Sequence, residues 1–155
     1  MHVSARVDYA VRALLVLAES ADRDPRALVK GDAIAREQRI PVKFLEGILR
    51  QLRHPGIVAS MRGAEGGYRL ARPASEIDLA WVVRVLDGPL GAVRGEPPED
   101  AEYEGAAENL RDVWVAARAA LRLVLEQVTL EDVRAGTYPT EVVALLDSPG
   151  AWERR

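Results

Sequence analysis

Residues 40–73 constrain the fold more than any other part of the chain. Ile40-Pro41 opens a predicted helix, with proline in the first turn, where a missing N–H costs nothing. At about 100° per residue this helix divides into two faces. Phe44, Leu45, Ile48, Leu49 and Leu52 share one, and Lys43, Glu46, Gly47, Arg50 and His54 share the other. Pro55-Gly56 ends it. Residues 57–62 then read as a strand, Gly63-Ala64-Glu65-Gly66-Gly67 as a turn, and residues 68–72 as a returning strand closed by Pro73. Glycines at a hairpin tip relieve Cβ crowding. An amphipathic helix followed at once by such a hairpin is the layout of a helix-turn-helix with a wing.

The flanking segments fit that layout. Residues 3–20 predict a helix capped by Ser4, with Val7, Ala10, Val11, Leu14, Leu17 and Ala18 at helical spacing and an Asp8–Arg12 ion pair four residues apart. Residues 21–27 form a turn, Leu28-Val29 a candidate short strand, and residues 31–38 a short helix containing Ile34 and Ala35. Residues 78–87 predict another helix that buries Leu79, Val82, Val83 and Leu86 and stops at Asp87-Gly88-Pro89. The expected architecture is mostly α with a small β-hairpin. A winged helix-turn-helix DNA-binding domain spans 1–88, an acidic Gly/Pro-containing linker 89–104, a long helix 105–128, and short helices with a tail 129–155.

In that long helix Leu110, Trp114, Ala117, Leu121, Val124 and Val128, with Ala107 three residues ahead of them, recur at alternating steps of four and three. This is a heptad seam, and a helix carrying one requires a second helix to cover it. The cover is either the same helix of a second chain or the chain's own front domain. The reading adopted is a homodimer with these six residues at its interface. Beyond it, residues after Ser148 are expected to fray, with Trp152 a candidate to dock.

Composition narrows the functions. Hydrophobic residues make up 48% of the 155 positions, which argues against global disorder. The longest apolar run, residues 13–18, is far too short to span a bilayer, and no cleavable leader is evident. The expected location is the cytoplasm, with no membrane partner. The chain contains no cysteine, so disulfides, thiol catalysis and thiolate-held metals are excluded. The net charge of −3 hides an asymmetry: residues 1–73 hold 13 Lys+Arg against 8 Asp+Glu, and residues 74–155 hold 8 against 16. A basic front half and an acidic back half point to a polyanion partner for the front alone.

The candidate DNA contacts lie on the third helix and the wing. Lys43, Arg50, Arg53 and His54 can reach phosphates or base edges, and arginine reads guanine bidentately in a major groove. Glu46 is either an acceptor for a cytosine amino group or an ordinary i,i+4 partner of Arg50. In the wing, Arg62 precedes the Gly63, Gly66 and Gly67 turn, and Arg69 and Arg72 follow it. Such a tip can enter a minor groove, with backbone N–H groups near phosphates. Other chemistry is absent. The two histidines, His2 and His54, are far apart, the glycine turn lacks the Lys-Ser/Thr of a phosphate loop, and no serine sits in a nucleophile elbow. The chain is not expected to be an enzyme, and no cofactor is expected.

Three stretches together resemble a known family: residues 8–14 (Asp-Tyr-Ala-Val-Arg-Ala-Leu), residues 40–52 with Phe44-Leu45-Glu46, and Ser60-Met61-Arg62-Gly63-Ala64-Glu65-Gly66-Gly67-Tyr68-Arg69-Leu70. With Asp87-Gly88 they look like the bacterial winged-helix regulators that include IscR and NsrR, over roughly residues 1–130. The resemblance implies a homodimer joined by the long helix, with two winged helices reading a palindromic operator in double-stranded DNA. It places the family's recognition glutamate on Glu46 and its wing arginine on Arg62. Val42, Lys43, Ser60 and Gly63 fall at backbone- or base-contacting positions. The best-known members hold an iron–sulfur cluster on three cysteines in and after the linker. Here that region reads Gly91-Ala92-Val93-Arg94-Gly95-Glu96-Pro97-Pro98-Glu99. Asp8 matches a further ligand used by some members, but a carboxylate alone cannot hold a cluster.

The primary reading is therefore a sequence-specific regulator, a repressor by preference, without a cluster. Its signal is a small molecule between the wing domain and the long helix, with Trp81 and Trp114 as candidate lining, or a protein partner, or none. The alternative is a winged helix used for protein contact or for non-specific DNA binding.

Overall fold

The computed structural model describes residues 3–154; His2 lies outside them. Helix α1 spans Ala5–Arg23, α2 Gly31–Gln38 and α3 Val42–Arg53. Strands β1 (Val58–Met61) and β2 (Gly67–Leu70) follow, then α4 (Leu79–Asp87), α5 (Leu110–Leu125), α6 (Leu130–Ala135) and α7 (Thr140–Leu146). The fold is mostly helical with one antiparallel hairpin, as the sequence predicts.

Local chemistry accounts for the helix starts. Ser4 accepts the Val7 N–H at 3.2 Å, and Asp78 accepts the Trp81 N–H at 2.7 Å. Thr129 and Asp132 exchange bonds in a capping box that opens α6. Pro41 sits one position before the first turn of α3, as its N-cap residue. Its φ of −59° suits that place too.

Leu14 and Leu17 of α1, Ile34 of α2, and Leu45, Leu49 and Leu52 of α3 are fully buried together. Val82 of α4, Ile57, Ile77 and Leu130 complete this core. Each such side chain contributes about 1.5–3 kcal/mol of hydrophobic stabilisation. Leu130 comes from beyond the long helix because residues 128–130 run beside 77–79: the Leu79 N–H donates to the Val128 carbonyl at 2.9 Å, and the Leu130 N–H to the Ile77 carbonyl at 3.0 Å.

Several expectations need correction. Phe44 does not join the buried face of α3; it is 43% exposed and meets Tyr9 edge-on, with ring centroids 5.8 Å apart. In α4 Val82 and Leu86 are buried, Leu79 and Val83 are only half-buried, and Ala80 is buried as well. The long helix is shorter than its seam: a 3-10 turn at Gly105–Ala107 precedes α5, which ends at Leu125. Val128 therefore lies beyond α5 and is 3% exposed, with no surface left to offer a second copy. Trp152 does not dock. It is 81% exposed, and its indole N–H donates to the Leu146 carbonyl at 2.9 Å.

Candidate nucleic-acid interface

Helices α2 and α3 are joined by three residues, and the sharp bend is made at Arg39, which holds a left-handed φ of 54°. Ile40 donates its N–H to the Ala35 carbonyl at 2.8 Å and buries its side chain, so the second helix leaves at a fixed angle. α3 thus keeps Leu45, Ile48, Leu49 and Leu52 inside and Val42, Lys43, Glu46, Arg50, Arg53 and His54 exposed.

The wing is pinned to the helix-turn-helix. Ser60 pairs with Tyr68 and Met61 with Gly67 in the hairpin. Val29 and Tyr68 exchange both backbone bonds at 2.8 Å, so the candidate strand at Leu28-Val29 is a one-residue third rung. Lys30, which the sequence reading passed over, donates to the Ala64 carbonyl and ties the wing tip to the start of α2. The glycines differ in their tasks. Gly63 turns the chain with a φ of 103° and accepts the Gly66 N–H at 3.0 Å. Gly66 is buried, and a Cβ there would sit 2.2 Å from the Met61 carbonyl oxygen; at Gly67 it would sit 2.7 Å from the Val29 carbonyl oxygen. Gly66 and Gly67 shape the wing, and Arg62 stands exposed at its tip, two residues beyond half-buried Ser60.

Charge is distributed unevenly between the two halves. In the back half Arg84, Arg111, Arg118, Arg122 and Arg134 each have a carboxylate within 4.0 Å, and Arg72, at the end of the front half, pairs with Glu76. Among the described residues no ion pair is formed by Arg39, Lys43, Arg50, Arg53, Arg62 or Arg69. Glu46 likewise makes none, so the expected alternative of a Glu46–Arg50 pair is not formed. Arg39 joins this cationic set because of its backbone conformation, which its place in the sequence does not signal.

The linker packs on α5. Arg118 pairs with Glu99, and the backbone of Gly91 lies where a Cβ would be 3.0 Å from that of Arg118. The Glu99 carboxyl is held below its ordinary pKa by a backbone hydrogen bond and by Arg118. Leu110, Trp114, Ala117 and Leu121 line an open groove of ≈ 760 Å³ against Pro89, residues 91–94 and Tyr103. Leu121 and Val124 also line an aliphatic pocket of ≈ 390 Å³ shared with α1 and α4, which contains Asp8 and Asp87. Trp81 lines neither; the Arg72 guanidinium stands 5.7 Å from its ring centroid. The two tryptophans thus do not form a common pocket.

A three-helix core carrying a helix-turn-helix, followed by a hairpin pinned beside it, defines a winged-helix DNA-binding protein. The chain belongs to the Rrf2 family, whose model, described as iron-dependent transcriptional regulator, matches residues 3–136. It is 47% identical over 153 residues to an HTH-type transcriptional regulator of Mycobacterium tuberculosis, covering 99% of this chain and 93% of that one. It is 33% identical over 137 residues to CymR of Bacillus subtilis, covering 88% and 92%. Among solved structures, CymR, the global cysteine regulator of B. subtilis, superposes with a TM-score of 0.72 at 30% identity, covering 88% of this chain and 98% of that one. IscR of T. potens superposes with a TM-score of 0.69 at 29% identity, covering 88% of each. The family's members are transcriptional regulators, not enzymes, and this chain is a DNA-binding regulator of that kind.

The iron dependence in the family description does not fit the donors present here. No cysteine exists to hold a cluster, and no group of three or more His, Asp or Glu side chains among the described residues could hold a metal ion. Asp8 is occupied by Arg12, 3.1 Å away. No described helix is long and apolar enough to cross a membrane.

Proposed function

We propose that the protein acts as a homodimer that occupies a palindromic operator and represses transcription by that occupancy. In this reading α3 enters the major groove, with Lys43, Arg50 and Arg53 on phosphates or guanine edges and Glu46 accepting from a cytosine amino group. Val42 and Ser60 flank these contacts, and the wing carries Arg62 into the adjacent minor groove, with Gly63, Gly66 and Gly67 giving the tip its shape. The observation that carries the reading is the set of six cations on residues 39–69 without a carboxylate partner. Cations without carboxylate partners favour a polyanion, because binding releases the counterions of the nucleic acid. The dimer is supported by α5, which has no buried residue and exposes Leu110, Val113, Trp114 and Leu123.

The test is binding to duplexes selected from randomised DNA. Affinity should fall linearly on a log–log plot against salt, with a slope of about −0.9 per phosphate contacted. Arg62→Ala should cost about 1–3 kcal/mol on the selected duplex and relax specificity there. Tight binding that ignores sequence would instead make the protein a non-specific DNA binder, and no DNA binding would leave protein contact as the use of the winged helix.

A further inference from the structure

Gly47 occupies the interior of α3, where glycine is the least favourable residue after proline. Glycine in a folded chain usually answers to a left-handed backbone or to a close neighbour. Eleven of the twelve glycines here have such a reason: a positive φ, or an atom of the chain within 3.3 Å of the place a Cβ would take. Gly47 has neither. Its backbone is helical, and a Cβ built on it meets nothing within 4 Å. The isolated chain gives no account of why the helix accepts this weakness.

Its position indicates what does. Lys43 lies four residues before Gly47 and Arg50 three residues after, so the three share one face of α3. Both cations are exposed and without a carboxylate partner, and Glu46 is the adjacent residue. The missing side chain is therefore a gap between the groups offered to DNA. We propose that Gly47 is a clearance position for DNA: its lack of a side chain lets the α3 backbone approach the floor of the major groove closely enough for Glu46, Lys43 and Arg50 to reach base edges. This rests on the DNA-reading role proposed above for α3 and adds a residue that sets how deeply the helix sits. Gly47 acts through its neighbours and is a positioning residue.

The inference makes stability and binding move in opposite directions. Gly47→Ala should raise the melting midpoint of the free protein, on the order of 2–4 °C, because alanine is the better helix former and its methyl group enters open space. On the selected duplex the same variant should bind about tenfold or more weakly, with a further loss for Gly47→Leu. The wild type and Arg62→Ala are measured alongside. If the wild type recovers no specific duplex, the reading of α3 fails and this inference with it. If the wild type binds specifically and Gly47→Ala binds equally well, only the clearance role is overturned. A loss of affinity accompanied by a lower melting midpoint also overturns it, since the glycine would then serve the fold.

Discussion

A methyl group on Gly66 would lie 2.2 Å from the Met61 carbonyl oxygen and 2.7 Å from the Arg62 carbonyl carbon, both backbone atoms that cannot step aside. Relief has to come from opening the hairpin, at a cost of roughly 1–3 kcal/mol for overpacking of this kind. Gly66→Ala should therefore loosen the wing while the helical core stays intact. The sensitive reporter is the Tyr68 amide, which bonds to the Val29 carbonyl at the wing's junction with the domain. Faster hydrogen exchange there, with unchanged exchange at Leu49 in α3, is the expected result. Unchanged exchange at Tyr68 would mean that the turn absorbs the methyl group and that the crowding is not decisive. Arg62 follows the same logic from the other side: its side chain makes no ion pair in the described chain, so its removal should spare stability and appear in DNA binding.

At the scale of elements, the periodic features were legible and the relations between distant segments were not. The α3 faces follow from spacing alone, and the structure keeps all of their apolar members inside except Phe44. Phe44 stays at the edge because Tyr9 of α1 offers it a ring rather than a cavity. The seam of α5 reads past its end for a related reason. Val128 continues the heptad, but the backbone leaves the helix at Leu125 to run beside residues 77–79, an attraction between segments fifty residues apart that no local spacing records. The free cations were visible as a charge excess, whereas their lack of partners, and the inclusion of Arg39, needed the fold. α6 supplies the prediction at this scale. Its capping box holds Asp132 below its ordinary pKa of 3.8, through the Thr129 hydroxyl first and the Thr129 backbone N–H second. A depressed carboxyl stabilises the folded state above its unfolded pKa, and that contribution is lost as the pH falls through the folded value. Thr129→Ala should cost about 1 kcal/mol at neutral pH in denaturant unfolding. As the pH falls below 3.8 and through the lower folded value, the difference should shrink by the carboxylate's share, leaving the part due to the Asp132 N–H donated to the Thr129 hydroxyl. A constant difference across the range would show that the cap's charge has no part in it.

The whole molecule couples a cationic front half to an acidic back half that keeps most of its own arginines paired. The linker and α4 cover only part of α5, and an apolar strip of that helix stays exposed. Trp114 is 39% exposed, and Val113, on the same turn, is 55% exposed. Trp114 also borders the groove beneath the linker, so a second α5 laid along this face would close the groove and bury both residues. Two copies joined here would carry two α3 helices at a fixed separation, which is what a two-fold symmetric operator demands. Trp114→Asp places a charge in that contact while leaving the core around Leu14, Leu49 and Leu130 untouched. The expected outcome is a wild-type dimer in sedimentation equilibrium and a monomeric, folded variant with unchanged helical content. On DNA the variant should keep the salt dependence of a single winged helix, with a slope about half that of the wild type, because each half-site contributes its own phosphate contacts. A wild-type monomer would mean that the α5 seam is covered by its own chain in solution, and the two-half-site reading would fall. A Trp114→Asp dimer would instead move the interface to another face, for which the exposed Val143, Leu145 and Leu146 of α7 are the next surface to substitute.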